Sequence, residues 1–424
     1  MSALIEATYL IETPLDPEKV AQIIAGEQSC GTFVRVASET DELRERAAAK
    51  VLAVAGRPSV SEPTLASDWL QRNGIGGPYR RAEIRIGFPP GNVGANLATL
   101  AATTAGNLYD LGEVTGLKLL SLTLPADYRA RFPFPSAGIG GTRDMLRIDS
   151  RPLFGTIIKP NVGLRTEQIA DLVEMLCEAG VDFVKDDEVA ADPAYAPLHE
   201  RIPAVMSRVR AYRERAGRDV MVAFNVTDEV DAMRRHADLI AAEGGSCAMV
   251  SMNWVGLSGL QTLRASTPLA LHGHRNGYGG FARHPALGIA FPAYQTLYRL
   301  TGIDHLHVHG IGGKFADSAE EVAEAARLCC RPLTGIEPER DRVFPVFSSG
   351  QWAGTLPETC AAAGSRDLIF LSGGGILAHP DGPSAGVASL RHAWEACAAG
   401  QTLAQRAESS PPLAHALAFF GRSR

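Results

Sequence analysis

From about Leu153 onward the chain keeps one rhythm: a short apolar run, a polar or glycine-containing loop, then an amphipathic helix. The strand-like runs are Phe154–Ile158, Phe183–Lys185, Met221–Asn225, Ala248–Ser251, Leu269–His272, His305–His307, Val346–Phe347 and Ile369–Leu371. Helical patterns fall at Thr166–Ala179, Leu198–Ala216, Glu229–Ala242, Gly259–Ala265, Ala293–Thr301, Ser318–Leu328, Pro357–Ala363 and Gly386–Ala399. Short, wholly apolar strands are those buried on both faces, and parallel strands need crossover helices between them. Eight such strands over roughly 250 residues predict a closed (β/α)8 barrel rather than a doubly wound sheet.

The first part of the chain, to about residue 135, has a different rhythm. Ala7–Glu12 and Glu83–Phe88 alternate apolar and polar residues as half-buried strands do, and Leu117–Leu124 reads as another strand. Asp16–Ala25 and Asn92–Leu108 read as helices, and Gly56–Asp68, with Pro58 and Pro63, as a loop. This mixture predicts a smaller α+β (ferredoxin-like) domain over residues 1–135. The Pro- and Gly-rich stretch Phe132–Thr142 would connect it to a barrel domain over 136–424 that ends in a helical extension. Hydrophobic residues make up 46% of the chain, ample for two such cores. A net charge of -6 without blocks of like charge argues against a nucleic-acid partner. No apolar run reaches about 18 residues, and the opening MSALIEATYLIE lacks the features of a signal peptide. The expectation is a cytoplasmic protein without a membrane partner. Seven cysteines without metal-ligand spacing read as reduced, apolar side chains.

In a barrel, the residues that follow the strands gather on one face. The second strand ends in Lys185-Asp186-Asp187-Glu188. Three acids beside a lysine are poor core material, because an unpaired buried charge is costly. Asp187 and Glu188 are hard oxygen ligands of the kind magnesium takes, although the run alone also reads as a solvated turn. The first strand runs into Lys159-Pro160-Asn161, which aims a potential acid–base lysine at the same mouth. The fifth runs into His272-Gly273-His274-Arg275. His305, His307 and His309 follow at a spacing of two, one face of a strand, and such a set can bind zinc or orient an oxygen-rich substrate. Gly310-Ile311-Gly312-Gly313-Lys314 reads as a mobile lid that delivers a cation. Ser348-Ser349-Gly350 and Ser372-Gly373-Gly374-Gly375 stand after the seventh and eighth strands, where barrels bind phosphate through backbone N–H groups. A metal, acid–base groups and an anion site in one mouth suit proton abstraction beside the carbonyl of a phosphorylated sugar.

The stretches GTIIKPNVGL, GVDFVKDDE, HGHR, DHLHVHGIGGK, SSGQW and LSGGGILAHP, in this order and spacing, resemble the large subunit of ribulose bisphosphate carboxylase. The resemblance covers nearly the whole chain. It implies that Lys185 is carbamylated by CO2 and binds Mg2+ together with Asp187 and Glu188. It makes Lys159 the proton-handling lysine, with His274 assisting, and Lys314 the lid lysine that stabilises a carboxylate. Arg275 and His307 would contact phosphate, Gly350, Gly373 and Gly374 would cradle it, and Ser348 would bind a substrate hydroxyl. Glu27–Phe33 resembles the segment that reaches the neighbouring subunit's active site, which brings in Glu27 and Thr32. Asn107 aligns with the family's asparagine near the metal. Shared sites imply at least a homodimer, with no small subunit.

Departures from the carboxylase pattern narrow the activity. Asn161 stands in place of a second lysine, Tyr278 of a histidine, Phe33 of a tryptophan, Val189 of an asparagine and Ser349 of a glycine. Losing a cation at Asn161 alters the electrostatics around an enediolate. The pattern is therefore that of a RuBisCO-like protein rather than a CO2-fixing enzyme. Among that group's activities, retention of Lys159, Asn107 and Lys314 favours making, cleaving or moving a carboxylate. The expected reaction is decarboxylation or carboxyl transfer on a phosphorylated keto sugar acid of the 3-oxo-isoapionate 4-phosphate type. The alternatives are the diketo-methylthiopentyl-phosphate enolase or methylthioribulose-phosphate isomerase of sulfur salvage, and a non-catalytic binding protein.

Overall fold

The computed structural model describes residues 3–31 and 36–423, so Thr32 and Phe33 lie outside the described residues. In chain order the strands are β1 Ile5–Thr13, β2 Lys50–Val60, β3 Tyr79–Phe88, β4 Gly116–Thr123, β5 Leu153–Ile157, β6 Phe183–Lys185, β7 Met221–Asn225, β8 Cys247–Ser251, β9 Ala270–His274, β10 Leu287–Ile289, β11 His305–His307, β12 Phe344–Phe347 and β13 Ile369–Leu371. The chain forms two compact units. One comprises Met1–Pro133, Gly277–Thr301 and Leu333–Pro338, and the other Phe134–Asn276, Gly302–Pro332 and Glu339–Arg424.

The first unit is built on a five-stranded sheet in the order β10-β4-β1-β3-β2. β1 is central and antiparallel to both neighbours, and its alternate residues Ile5, Ala7, Tyr9 and Ile11 are fully buried. The helix Pro17–Glu27, capped by Asp16, buries Val20, Ala21, Ile24 and Ala25. Two expectations need correction, and one strand is new. Residues 56–60, read as loop, belong to β2, because an edge strand tolerates Pro58 without losing a ladder bond inside the sheet. Asn92–Leu108 is not one helix. It divides into the end of Pro90–Val93, the helix Leu97–Ala105 and a 3-10 turn at Asn107–Asp110, broken at Gly94 with φ 63 and restarted by Asn96 as cap. β10, three residues pairing parallel with β4, was not read in the sequence, because its partner strand lies far away along the chain and no repeating rhythm frames it.

The second unit is a closed barrel of eight parallel strands, β5 to β9 followed by β11 to β13. Alternate residues face inward, and Leu153, Phe183, Met221, Cys247, Ala270, Phe344, Val346 and Ile369 form part of one buried cluster. Ile139 and Leu146 of the helix Gly138–Leu146 join that cluster. The stretch Phe132–Thr142 is thus not only a connection, since its end already belongs to this helix. Asp304 fixes the helix start: its Oδ1 accepts from Ala137 N at 2.6 Å and Gly138 N at 2.8 Å. Its Oδ2 accepts from Leu271 N at 2.7 Å and from Arg264 at 3.1 Å. The pattern Gly259–Ala265 is the second half of Met252–Ser266, kinked at Gly256. None of the seven cysteines forms a disulfide. Among the described residues no helix is long and apolar enough to cross a membrane.

Candidate active site

The inward alternation that fills the barrel with apolar groups turns polar where the strands end. Lys185 closes β6 and is only 1% exposed. Its Nζ donates to the Asp186 carbonyl at 2.7 Å and lies 3.9 Å from Glu188 Oε2. Burial pushes its pKa below the usual lysine value, against the opposing pull of Glu188, Asp187 and Asp186. Lys159 reaches in from the end of β5, donating to Asp187 Oδ2 and Asn161 Oδ1, each at 2.7 Å.

The three adjacent acids divide. Asp186 pairs with the buried Arg201 at 3.1 Å and accepts from Asn225 N at 3.0 Å. Asp187 and Glu188 keep their carboxylates beside the two lysines. Asn225 Nδ2 donates to the Asp187 carbonyl at 3.0 Å, which holds the turn from behind. His274 Nε2 stands 3.6 Å from Glu188 Oε2, and its Nδ1 accepts from Asn276 N at 3.2 Å. Burial lowers the pKa of this imidazole.

The histidines form a line through the barrel. His305 Nε2 meets Thr142 Oγ1 at 2.9 Å, and His305 Nδ1 meets His272 Nδ1 at 3.3 Å. His272 Nε2 meets His307 Nε2 at 2.8 Å, and His307 Nδ1 meets Ser348 Oγ at 3.0 Å. Burial holds all three imidazoles below the usual histidine pKa, His305 down to about 3. The one-face reading holds for His305 and His307 and fails for His309. The strand ends at His307, and His309 adopts φ 69 and turns its ring to Asp317 and Phe315. The zinc reading also fails, because the ring nitrogens bond one another. Among the described residues no group of three or more His, Cys, Asp or Glu is disposed to hold a metal.

Asp317 also binds Arg275 Nη2 at 3.1 Å, so the arginine enters the mouth already paired. A Cβ on Gly313 would sit 2.6 Å from Ser349 O, and one on Gly310 would sit 2.5 Å from Ser348 O. These glycines let the segment after β11 run against the segment after β12. Lys314 is exposed, with Nζ 5.5 Å over the Phe315 ring. Gly350 is exposed with φ 65, and Gly373 precedes the short helix Gly374–Leu377. Glu27 and Asn107, both exposed, belong to the first unit, as does Tyr278, whose ring packs on Phe291 and Tyr294.

Sequence reasoning missed Thr142, Asn225, Arg201 and Asp317. Asn225 carried a signal, since it ends the third barrel strand as Lys185 ends the second. Thr142 carried none, lying in a stretch that reads as a connection.

The family model of the ribulose bisphosphate carboxylase large chain, catalytic domain, matches residues 138–420, and that of its N-terminal domain matches residues 5–128. The chain is 44% identical over 420 residues to the 3-oxo-isoapionate-4-phosphate transcarboxylase/hydrolase of Xanthobacter autotrophicus, covering 99% of this chain and 100% of that one. It is 40% identical over 418 residues to the 3-oxo-isoapionate-4-phosphate decarboxylase of Rhizobium rhizogenes, covering 98% of each. The crystal structure of a rubisco-like protein from Burkholderia fungorum superposes with a TM-score of 0.94 at 59% identity, covering 99% of this chain and 100% of that one.

Proposed function

We propose that this chain, which belongs to the ribulose bisphosphate carboxylase large-chain family, removes or transfers the carboxylate of a phosphorylated β-keto sugar acid of the 3-oxo-isoapionate 4-phosphate type. Relatives at 40% and 44% identity over almost their whole length carry that substrate in their names. The observation that carries the reading is the buried Lys185 amine beside Asp187 and Glu188, with Lys159 Nζ 2.7 Å from the Asp187 carboxylate.

These residues fit a magnesium ion and a lysine carbamate. An amine whose charged form burial disfavours is the form that adds CO2. The carbamate then gives a third anionic oxygen beside the two carboxylates, a hard donor set. Magnesium held there supplies a Lewis acid opposite the negative charge that develops on the substrate carbonyl. The chain's residues do the rest. The bond to the carboxylate carbon breaks, its electron pair moves to the neighbouring carbonyl, and CO2 leaves or passes to water. Lys159 returns a proton to the carbon, and Asn161 and Asp187 hold its ammonium in place. His274 supports that transfer, and Lys314 closes over the carboxylate end. Arg275, Gly350, Gly373 and Gly374 receive the phosphate. Asn161 adds no second cation for a carboxylation, which supports cleavage over CO2 fixation. On the family resemblance, Glu27, Thr32 and Asn107 complete a shared site in a homodimer.

The deciding assay incubates purified protein with the keto acid phosphate, Mg2+ and bicarbonate and follows products by phosphorus NMR. We expect loss of the keto acid with CO2 or bicarbonate formed, and no turnover for Lys185→Ala. Turnover of a methylthiopentyl phosphate instead would move the chain to the enolase reading. Mg2+ and CO2 together should raise the melting temperature more than either alone. No joint shift would remove the carbamate from the scheme.

A further inference from the structure

Thr142, His305, His272, His307 and Ser348 bond in sequence, from the helix Gly138–Leu146 to the end of β12. The direction of this chain is fixed at its far end. The Thr142 hydroxyl has one proton and gives it to the Gly138 carbonyl at 2.6 Å. Toward His305 it therefore accepts, and His305 must carry its proton on Nε2. His305 Nδ1 is then bare and accepts from His272 Nδ1–H. His272 Nε2 is bare in turn and accepts from His307 Nε2–H. His307 Nδ1 is left bare and accepts the Ser348 hydroxyl proton. Four contacts need four protons, and three neutral imidazoles plus one serine hydroxyl hold four. The count closes with no imidazolium, as burial requires. Asp304 pins the helix that carries Thr142, so the end that sets the direction is itself held.

We propose that this one-way chain makes Ser348 an obligate hydrogen-bond acceptor: in the substrate-hydroxyl contact that the family resemblance gives Ser348, the substrate donates to its Oγ, and an anionic oxygen is turned away. His272, His305 and Thr142 are positioning residues for that reading. Both His307 ring nitrogens are occupied within the protein, so His307 orients Ser348 and gives no N–H to phosphate. The substrate half of this inference rests on the function proposed above, and the direction of the chain does not.

Magic-angle-spinning 15N NMR of the full chain, labelled at the histidine ring nitrogens and free of substrate, tests the direction. The expected state at pH 7.5 has His305 protonated on Nε2, His272 on Nδ1 and His307 on Nε2. A His307 protonated on Nδ1, or any of the three as imidazolium, overturns it while leaving the proposed activity untouched. Thr142→Val removes the acceptor and should move His307 to the Nδ1–H form, and Thr142→Ser should restore the wild-type pattern. Loss of one oriented hydrogen bond should weaken substrate binding by about tenfold in Thr142→Val. An analogue lacking the hydroxyl should bind the wild type about tenfold more weakly than the substrate and Thr142→Val no differently from it. Equal binding of both compounds by the wild type overturns the hydroxyl reading even if the tautomers stand.

Discussion

Asp186 and Asp187 are neighbours in the chain with separate tasks. Asp186 is spent on Arg201, itself 1% exposed, whose Nη2 also binds the carbonyls of Ala190 and Ala191 while its Nη1 binds that of Ala196. One buried guanidinium thereby shapes the loop after β6 and leaves Asp187 and Glu188 facing the mouth. Removing one partner of a buried pair strands the other charge, a loss of about 3–5 kcal/mol. Arg201→Met should lower unfolding stability by that order in urea titration, and Asp186→Asn by less, since the amide still accepts. An unchanged midpoint in Arg201→Met would mean that the pair is open to water. The KDDE run was readable as an exceptional acidic turn. Its division of labour was not, because Arg201 lies on a helix where nothing in the local pattern separates it from a surface arginine.

At the scale of elements, the segment after β11 is tied at its far end by Asp317, which takes hydrogen bonds from His309 and Arg275. Burial would raise the pKa of this carboxyl, but the His309 bond and the Arg275 charge outweigh it and hold it below the usual aspartate value. A carboxylate with a depressed folded pKa gives its stabilisation above the unfolded value and loses it as pH falls through the folded one. The tie should therefore persist through the ordinary carboxylate range and fail only in stronger acid. Asp317→Asn should speed amide exchange across residues 309–318 by about tenfold at pH 7, with the barrel strands unaffected. Uniform protection would show that Gly310 and Gly313, wedged against Ser348 and Ser349, hold the segment without Asp317. The glycines and Lys314 were legible as a lid, whereas the clamp needed three dimensions. The same holds for the elements generally. Barrel strands announced themselves by apolar runs between crossover helices, and the second, third, sixth and eighth appear with the bounds the pattern gave. β2 and β10 did not, one an edge strand with a proline and the other three residues long and joined to a sheet formed far away in sequence.

Taken as a whole, the barrel unit closes around a line of imidazoles that must stay neutral. His272 and His305 are fully buried and His307 is 2% exposed. Burial depresses all three, while the unfolded chain binds protons at each near pH 6.5. The native state thus binds fewer protons than the unfolded state once pH drops below about 6.5, and stability falls as pH falls, until the folded values are reached. Each group costs up to about 1.4 kcal/mol per pH unit, so the three together weigh heavily against a total stability of about 5–15 kcal/mol. Asp304 works the other way, its carboxyl raised by burial despite Arg264 and three backbone N–H groups, but one group against three changes only the slope. Denaturant midpoints measured from pH 8 to 5 should be level at the top and decline below about pH 6.5, before most carboxylates titrate. His305→Asn should shallow that decline, because an amide can bond Thr142 without a titrating proton. A midpoint level down to pH 5 would mean that one ring in the line carries a charge, and the proton count that directs Ser348 would then not close.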